Sequence, residues 1–409
     1  MSLNEKIRHY RIKIKNMGFV AAVGKSIDYR LDCFVMWFAK QIYAKTPLLD
    51  TIVLESHNDF DSNGGAFYDY LIKKGYNKKY KIVWMLNNPK PNDLPENVEG
   101  YYIYKPSFRK AYHLCTAKYL LSCHFIYGSV REGQKSGYLT HGSISLKKTS
   151  GNINLPDETN FVLTPSEFIA PIVADNFGIP YPDKRQIIIG FPVHDTFYND
   201  VPGDLGKVTG NKYNKTILWM PTFRKSMDLN RDDSNGELPL GVPILRDMES
   251  CKALNDFLER ENALLIVKIH PMQDLSTIKI QGMSNIVVLD RNSIKRLDVD
   301  NFRLMKDVDA LISDYSSSSY EFLHADKPIG FTIDDVKDFK LEMNFSDPEN
   351  YMPGHIIHNQ KEFIQFIEDV VEGKDPYAAD RKRVFDLFFK FHDGNSCQRL
   401  TEYLGLKVD

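Results

Sequence analysis

The chain has 409 residues, 43% hydrophobic and 26% charged. That is too long for one ordinary core and too apolar for disorder, so two domains of roughly 200 residues each are expected. A formal net charge of −2 lacks the basic excess of a nucleic-acid binder, and no nucleic acid is expected as a partner.

Five cysteines (Cys33, Cys115, Cys123, Cys251, Cys397) are scattered, odd in number and without a CxxC pair. They read as buried thiols in a reducing compartment, neither a disulfide frame nor a zinc site. The polar, basic start shows no secretory leader, and no stretch reaches the 18 or so apolar residues of a spanning helix. A cytoplasmic protein is expected, with contact to the membrane left open.

Residues 1–50 form a segment of their own. Nine Lys/Arg against four Asp/Glu give it a net charge of +5. Lys6, Arg8, Arg11, Lys13 and Lys15 alternate with apolar residues, and Cys33-Phe34-Val35-Met36-Trp37-Phe38-Ala39 follows. A basic, aromatic-bearing amphipathic segment suits the headgroup layer of anionic lipid. A helical arm packed on the body would have the same pattern.

From residue 51 short apolar runs alternate with helical patterns, as in parallel βαβ units. The expected strands are Thr51–Leu54, Tyr80–Met85, Tyr119–Ser122, Phe161–Leu163 and Gln186–Gly190. A polar stretch from Asn199 to Lys215 reads as a linker. The alternation then restarts with Thr216–Met220, Leu264–Ile269, Ile286–Leu289, Ala310–Ile312 and Pro328–Phe331. The expected fold is α/β, two Rossmann-like domains facing a cleft (GT-B-like) after the basic N-terminal segment. The boundaries are 1–50, 51–205 and 206–409, and a C-terminal helix crossing back to the first domain would suit that arrangement. Ligands of such sheets bind at the carboxyl ends of the strands.

The strongest local signal is Ser313-Asp314-Tyr315-Ser316-Ser317-Ser318-Ser319-Tyr320-Glu321. An apolar strand ends at Asp314 and a helix starts within the serines, where free N–H groups and hydroxyls suit a phosphate. Helix capping explains one serine but not four in a row. Glu321 could accept hydrogen bonds from ribose hydroxyls or be a structural carboxylate.

Two histidines sit where strands should end, in Thr140-His141-Gly142 and Ile269-His270-Pro271. Lys147 and the Pro221-Thr222-Phe223-Arg224 loop lie at comparable places. Phosphoryl transfer from a pyrophosphate needs a proton acceptor and positive charge around the developing oxyanions, and these residue types supply both. There is no GxGxxG, Walker, HExxH or GxSxG motif. Asp307-Val308-Asp309 is formally a DxD but precedes an apolar strand, so no metal is expected.

His141-Gly142 with Lys147-Lys148, Gly190-Phe191-Pro192 with Asp195, Pro221–Arg224, His270-Pro271 and Ser313–Ser317 together resemble the CDP-glycerol glycerophosphotransferases, teichoic-acid enzymes that include CDP-ribitol users. Glu55-Ser56 with Asn63, and Tyr351 to Gly354, resemble the family's early and late loops. The likeness spans about residues 51 to 370.

It implies a GT-B-like enzyme, peripheral on the cytoplasmic membrane face, with no cofactor required. The enzyme would move glycerol phosphate or ribitol phosphate from CDP-glycerol or CDP-ribitol to a hydroxyl of a lipid-linked or polymeric acceptor, releasing CMP. The acceptor would belong to a teichoic-acid or capsule-type polymer. His141 would be the general base. His270, Arg224, Asp314, Ser316, Ser317 and Ser318 would hold the donor pyrophosphate and Glu321 its ribose, with Lys147 and Thr222 lining the cleft.

The chain departs from the family pattern at Gly190-Phe191-Pro192-Val193, at Thr140 and at Ser143–Leu146. These changes bear on the acceptor more than on the nucleotide. Two other readings fit the same signals. One is a GT-B glycosyltransferase using a nucleotide sugar; the other is a membrane-associated scaffold that binds nucleotide or polymer without turnover.

Overall fold

The computed structural model describes residues 18–149, 151, 153–226, 231–236 and 238–408. The basic cluster from Lys6 to Lys15 lies outside the described residues. Two parallel sheets dominate. The first contains β1 (Leu49–Glu55), β2 (Lys81–Leu86), β3 (Val98–Tyr102), β4 (Ala117–Ser122), β5 (Lys135–Tyr138), β6 (Phe161–Leu163) and β7 (Gln186–Ile187). Its order is β3-β2-β1-β4-β5-β6-β7.

After a strandless connection comes β8 (Lys215–Trp219), followed by a two-stranded ribbon of β9 (Lys225–Ser226) and β10 (Arg231–Asp232). The second sheet continues with β11 (Ala263–Lys268), β12 (Ile286–Leu289), β13 (Ala310–Ser313), β14 (Ile329–Thr332) and β15 (His355–Ile357). Its order is β12-β11-β8-β13-β14-β15. Both sheets therefore reverse direction beside their first strand, between β1 and β4 and between β8 and β13. A crevice opens at each switch point.

The expected strands are all present. The unexpected ones are short or polar. Val98–Tyr102 and His355–Ile357 are sheet edges, where one side needs no apolar cover. Lys135-Ser136-Gly137-Tyr138 is central but small, because the Phe161 ring lies over Gly137; a Cβ there would meet Phe161 Cζ at 2.0 Å.

The two halves share core. Ile144, Leu146, Ile169 and Val173 from the first half pack with Leu218, Tyr315, Tyr320 and Phe388. In return, Cys397, Leu400 and Leu404 of the last helix, Ser396–Leu404, pack with Phe67, Phe161 and Phe191. Asp195 fixes that crossing by accepting the Ser396 and Cys397 N–H groups at 2.9 and 2.8 Å.

The helix Phe19–Tyr43 packs one narrow face, Ala22, Val35 and Ala39, on the body. Lys110 Nζ anchors it by donating to Asp32 at 2.8 Å. Its opposite side leaves Phe19, Val23, Ile27, Phe34, Trp37 and Phe38 exposed, and Cys33 of the same helix is exposed too, against the expectation of five buried thiols.

Candidate active site

Each switch point is built around one buried carboxylate at a strand end. In the first half Glu55 closes β1, and its Oε2 accepts the Cys123, His124 and Phe125 N–H groups at 3.1, 2.9 and 3.0 Å. Burial pushes its carboxyl up to about 7, against the pull of those three bonds. This strut holds the chain after β4 against β1, so that His57, His124 and His141 leave three adjacent strands side by side, all exposed.

In the second half Asp314 does the same work, fully buried. It accepts the Thr222 N–H at 2.9 Å, the Thr222 hydroxyl at 2.5 Å and Arg224 Nη1 at 2.8 Å. Arg224 also donates from Nε and Nη2 to Asp335 at 2.7 and 3.2 Å, and from Nη1 to the Thr222 carbonyl at 2.9 Å.

This geometry weighs against the phosphate-binding expectation for Arg224 and Asp314. A guanidinium whose Nε and both Nη groups already donate, between two carboxylates, offers no net positive charge to a diphosphate. Thr222 likewise spends its hydroxyl on Asp314. These three residues brace the serine loop from below.

Ser316 and Ser317 are half-exposed, whereas Ser318 is buried and pairs with the Ser313 hydroxyl at 2.8 Å. Ser317 stands at the start of the helix Ser318–Glu321 but makes no side-chain cap. Its hydroxyl instead faces Gly142 across the cleft, 3.1 Å from where a Cβ would stand. Ser316 and Ser317 are the hydroxyls within reach of a ligand, so the phosphate expectation narrows to them and away from Ser318.

The two histidines are held by opposite partners. His141 Nδ1 lies 3.3 Å from the Cys123 carbonyl. A carbonyl only accepts, so Nδ1 carries the proton and Nε2 keeps a free lone pair. His270 Nδ1 accepts the Met272 N–H at 3.1 Å, so its proton sits on Nε2. One imidazole is set as an acceptor and the other as a donor. Close surroundings, and next His57, push the His141 pKa down, more than the Cys123 carbonyl, Asp61 and Glu321 raise it. Its ring is nonetheless exposed, as on the floor of a cleft.

The turn carrying His141 is strained. Thr140, β-branched, has φ 60°, a conformation that persists only when its surroundings impose it. The buried Asn63 amide does so, donating to the Leu139 and Thr140 carbonyls at 2.8 and 3.2 Å while accepting the Val193 N–H at 3.1 Å.

Glu321 ties the halves together. Its Oε1 accepts the Ser143 N–H and hydroxyl at 2.7 and 2.8 Å, and its Oε2 meets His194 Nε2. Burial works to raise its carboxyl, but His194 and the Ser143 donors outweigh that and hold it below the usual range. This weighs against the ribose role expected for Glu321 and in favour of its structural alternative: both oxygens are taken, in a residue 3% exposed.

The segment after Ser143 continues across the cleft. Lys148 N–H donates to the Glu342 carbonyl at 2.7 Å and Asn344 Nδ2 to the Ser145 carbonyl at 2.8 Å. Lys147 Nζ reaches 5.7 Å from the Phe223 ring, which in turn lies 4.9 Å from His270. Among the described residues no group of three His, Cys, Asp or Glu side chains is placed to hold a metal. Asp307 and Asp309 accept the Leu205 and Thr216 N–H groups at 3.0 and 2.8 Å.

The close approach of Gly142 to Ser317 gives a direct test. Gly142→Ala places a methyl against Ser317 and should open the seam between the two loops. Turnover is expected to fall about tenfold or more with a loss of stability of roughly 1–3 kcal/mol. Wild-type turnover in the alanine variant would show that the seam tolerates separation.

The sequence profile of the family described as CDP-glycerol:poly(glycerophosphate) glycerophosphotransferase matches residues 39–405. The chain belongs to this family. Its relatives include the teichoic acid ribitol-phosphate polymerase TarL of Staphylococcus aureus, 26% identical over 74% of this chain and 49% of that protein. The teichoic acid glycerol-phosphate primase of Bacillus subtilis is 25% identical over 84% of this chain and 89% of the primase. The chain thus spans about half the length of TarL and most of the primase.

Among solved structures, the wall teichoic acid polymerase TagF superposes with a TM-score of 0.69 at 16% identity, covering 99% of this chain and 98% of that one. A UDP-N-acetylglucosamine 2-epimerase from Listeria monocytogenes shares the two-domain fold more loosely, with a TM-score of 0.51 at 10% identity, over 88% and 98% of the two chains. Both support the GT-B-like arrangement.

Proposed function

We propose that this member of the family transfers glycerol phosphate or ribitol phosphate from its CDP ester to an acceptor hydroxyl and releases CMP. The observation that carries this reading is the pair of imidazoles after strand ends of the two sheets, whose Nδ1 atoms have opposite hydrogen-bond partners. His141, with a free Nε2, is suited to take the proton of an attacking hydroxyl. His270, with its proton on Nε2, is suited to donate to a pyrophosphate oxygen as charge develops on the leaving CMP. Ser316 and Ser317 add hydroxyls on the donor side, and Lys147 is the nearby cation. No step in this scheme uses a metal or cofactor.

The acceptor is a hydroxyl-bearing chain of the teichoic-acid or capsule type, presented at the membrane. The exposed apolar side of Phe19–Tyr43 supports a peripheral position, and no helix among the described residues is long and apolar enough to cross a membrane. Phe34 and Trp37 are 60% and 59% exposed, more than a body contact would leave. The double variant Phe34→Ser/Trp37→Ser should bind phosphatidylglycerol vesicles at least roughly tenfold more weakly than wild type in a flotation assay. Equal flotation would remove this helix as the contact.

The activity itself is tested by incubating the protein and a hydroxyl acceptor with CDP-glycerol, CDP-ribitol and a set of nucleotide sugars, and identifying the nucleotide released. CMP from a CDP-polyol is expected. A nucleoside diphosphate from a sugar donor would establish the glycosyltransferase reading instead.

A further inference from the structure

Two histidines and two aromatic rings outside the donor side are not used by the chemistry above. His57 and His124 lie beside His141, with ring centroids 4.5 Å apart between the first two and 6.2 Å between His124 and His141. From His124 the series continues to Phe125 at 5.0 Å, edge to face, and from Phe125 to Tyr104 at 5.9 Å. Lys25 then stands 5.8 Å over the Tyr104 ring. Lys25 belongs to Phe19–Tyr43, the helix whose outer side is apolar.

The series is accessible. His57, His124, His141 and Lys25 are exposed, Tyr104 is 50% exposed and Phe125 half-exposed. Its course is fixed from beneath, because the Glu55 carboxylate accepts the N–H groups of both His124 and Phe125. Contiguous exposed rings, unlike scattered ones, are characteristic of binding surfaces.

Asp61, whose charge reaches His124 and His141, is hydrogen-bonded to Asn58 Nδ2 at 2.9 Å and the Asn58 N–H at 3.3 Å. It does not cancel the imidazoles. The enclosing cleft walls, then His57 and His141, push His124 down to about 4, so this imidazole is neutral in the unliganded site and would gain charge when an anion arrives.

We infer that this row, His57-His124-Phe125-Tyr104-Lys25, is a binding track for the acceptor, a chain of hydroxylated carbon units joined by phosphate. Aromatic faces suit the C–H faces of sugars or polyols, and imidazole N–H and ammonium groups suit phosphate oxygens. The track leads from the membrane-facing helix to the free Nε2 of His141, so an acceptor laid along it presents its terminal hydroxyl to the base. The inference rests on the polyol-phosphate reading of the same cleft.

Two sources share this chemistry, a grown poly(polyol phosphate) chain and a lipid-linked sugar diphosphate. The test titrates wild type, Tyr104→Ala, Tyr104→Phe and His124→Ala with soluble oligo(glycerol phosphate) and with a short-alkyl disaccharide diphosphate. Binding by at least one probe is expected, weakened roughly tenfold by Tyr104→Ala and His124→Ala and restored by Tyr104→Phe. Where turnover is measured, KM for the acceptor should rise in parallel with little change in kcat.

The melting shift given by CDP-glycerol or CDP-ribitol should be the same in all four proteins. The probe that responds identifies the source. Unchanged binding of both probes in both alanine variants overturns the track. Failure of wild type to bind or use either CDP-polyol overturns the functional reading, while the equilibrium titration still decides the track.

Discussion

His141→Gln is expected to lower turnover by roughly 10²–10⁴-fold, with the CDP-polyol-induced melting shift retained. Glutamine fills similar space and keeps a polar amide in place of the ring. What it lacks is a nitrogen lone pair able to take a full proton. The strained Thr140 turn stays in place, since Asn63 secures it through backbone carbonyls. The loss should therefore appear in kcat, with donor affinity preserved.

The pH dependence follows from the same environment. Close surroundings, and then His57, lower the His141 pKa, and the Cys123 carbonyl, Asp61 and Glu321 do not restore it. The base form is then already dominant at neutral pH. The acidic limb of kcat/KM should fall below the ordinary histidine value, with activity flat above it until another group titrates. An acidic limb at or above the ordinary value, or near-normal kcat in His141→Gln, would remove His141 as the base.

The parts of this site legible in the sequence are those carried by consecutive residues. An apolar run that stops at His-Pro, at His-Gly or at a string of serines announces a strand end facing a crevice, and His141, His270, Ser316 and Ser317 do follow the ends of strands. The alternation of runs also gave both sheets, apart from strands such as Lys135–Tyr138 whose small residues are matched to one neighbouring ring.

What stayed hidden depends on partners far along the chain. Asp335 stabilises Arg224 from 111 residues away, and Glu321 meets Ser143 and His194 across 178 and 127 residues. No local pattern distinguishes a carboxylate that will be enclosed by such partners from one that will face a ribose. Glu55 gave a partial signal, an acid directly ending an apolar run. His57 and His124 gave none, because their meaning comes from the strand order that sets them beside His141.

Arg224→Met should destabilise the protein by about 3–5 kcal/mol, the cost of removing one member of a buried ion cluster. Exposed pairs such as Lys118–Asp50, with both side chains 41–50% exposed, contribute at most about 1 kcal/mol. The difference lies in what remains. Methionine leaves Asp314 and Asp335 within the fold, 0% and 4% exposed, having lost the charge between them. Lysine would not repair this, since it cannot span both carboxylates in the fork geometry that Nε, Nη1 and Nη2 provide.

The sign of the pH effect separates this account from simple loss of packing. Burial raises the Asp335 carboxyl, but Arg224, Ser234 and Tyr315 together outweigh it and hold the pKa below the usual range. A depressed carboxylate contributes stability that is fully present above its unfolded pKa and lost as pH falls through the folded one. Wild type should thus lose stability on acidification below the ordinary carboxylate range, and Arg224→Met should show a flatter loss.

Adding Asp314→Asn and Asp335→Asn to Arg224→Met removes the stranded charges and should recover much of the deficit. Urea unfolding at two pH values measures all of this. A single variant within about 1 kcal/mol of wild type would mean that the cluster is not what supports the serine loop. If the triple variant is stable yet inactive, Arg224 and its carboxylates act by setting the position of Ser316 and Ser317 rather than by touching the donor.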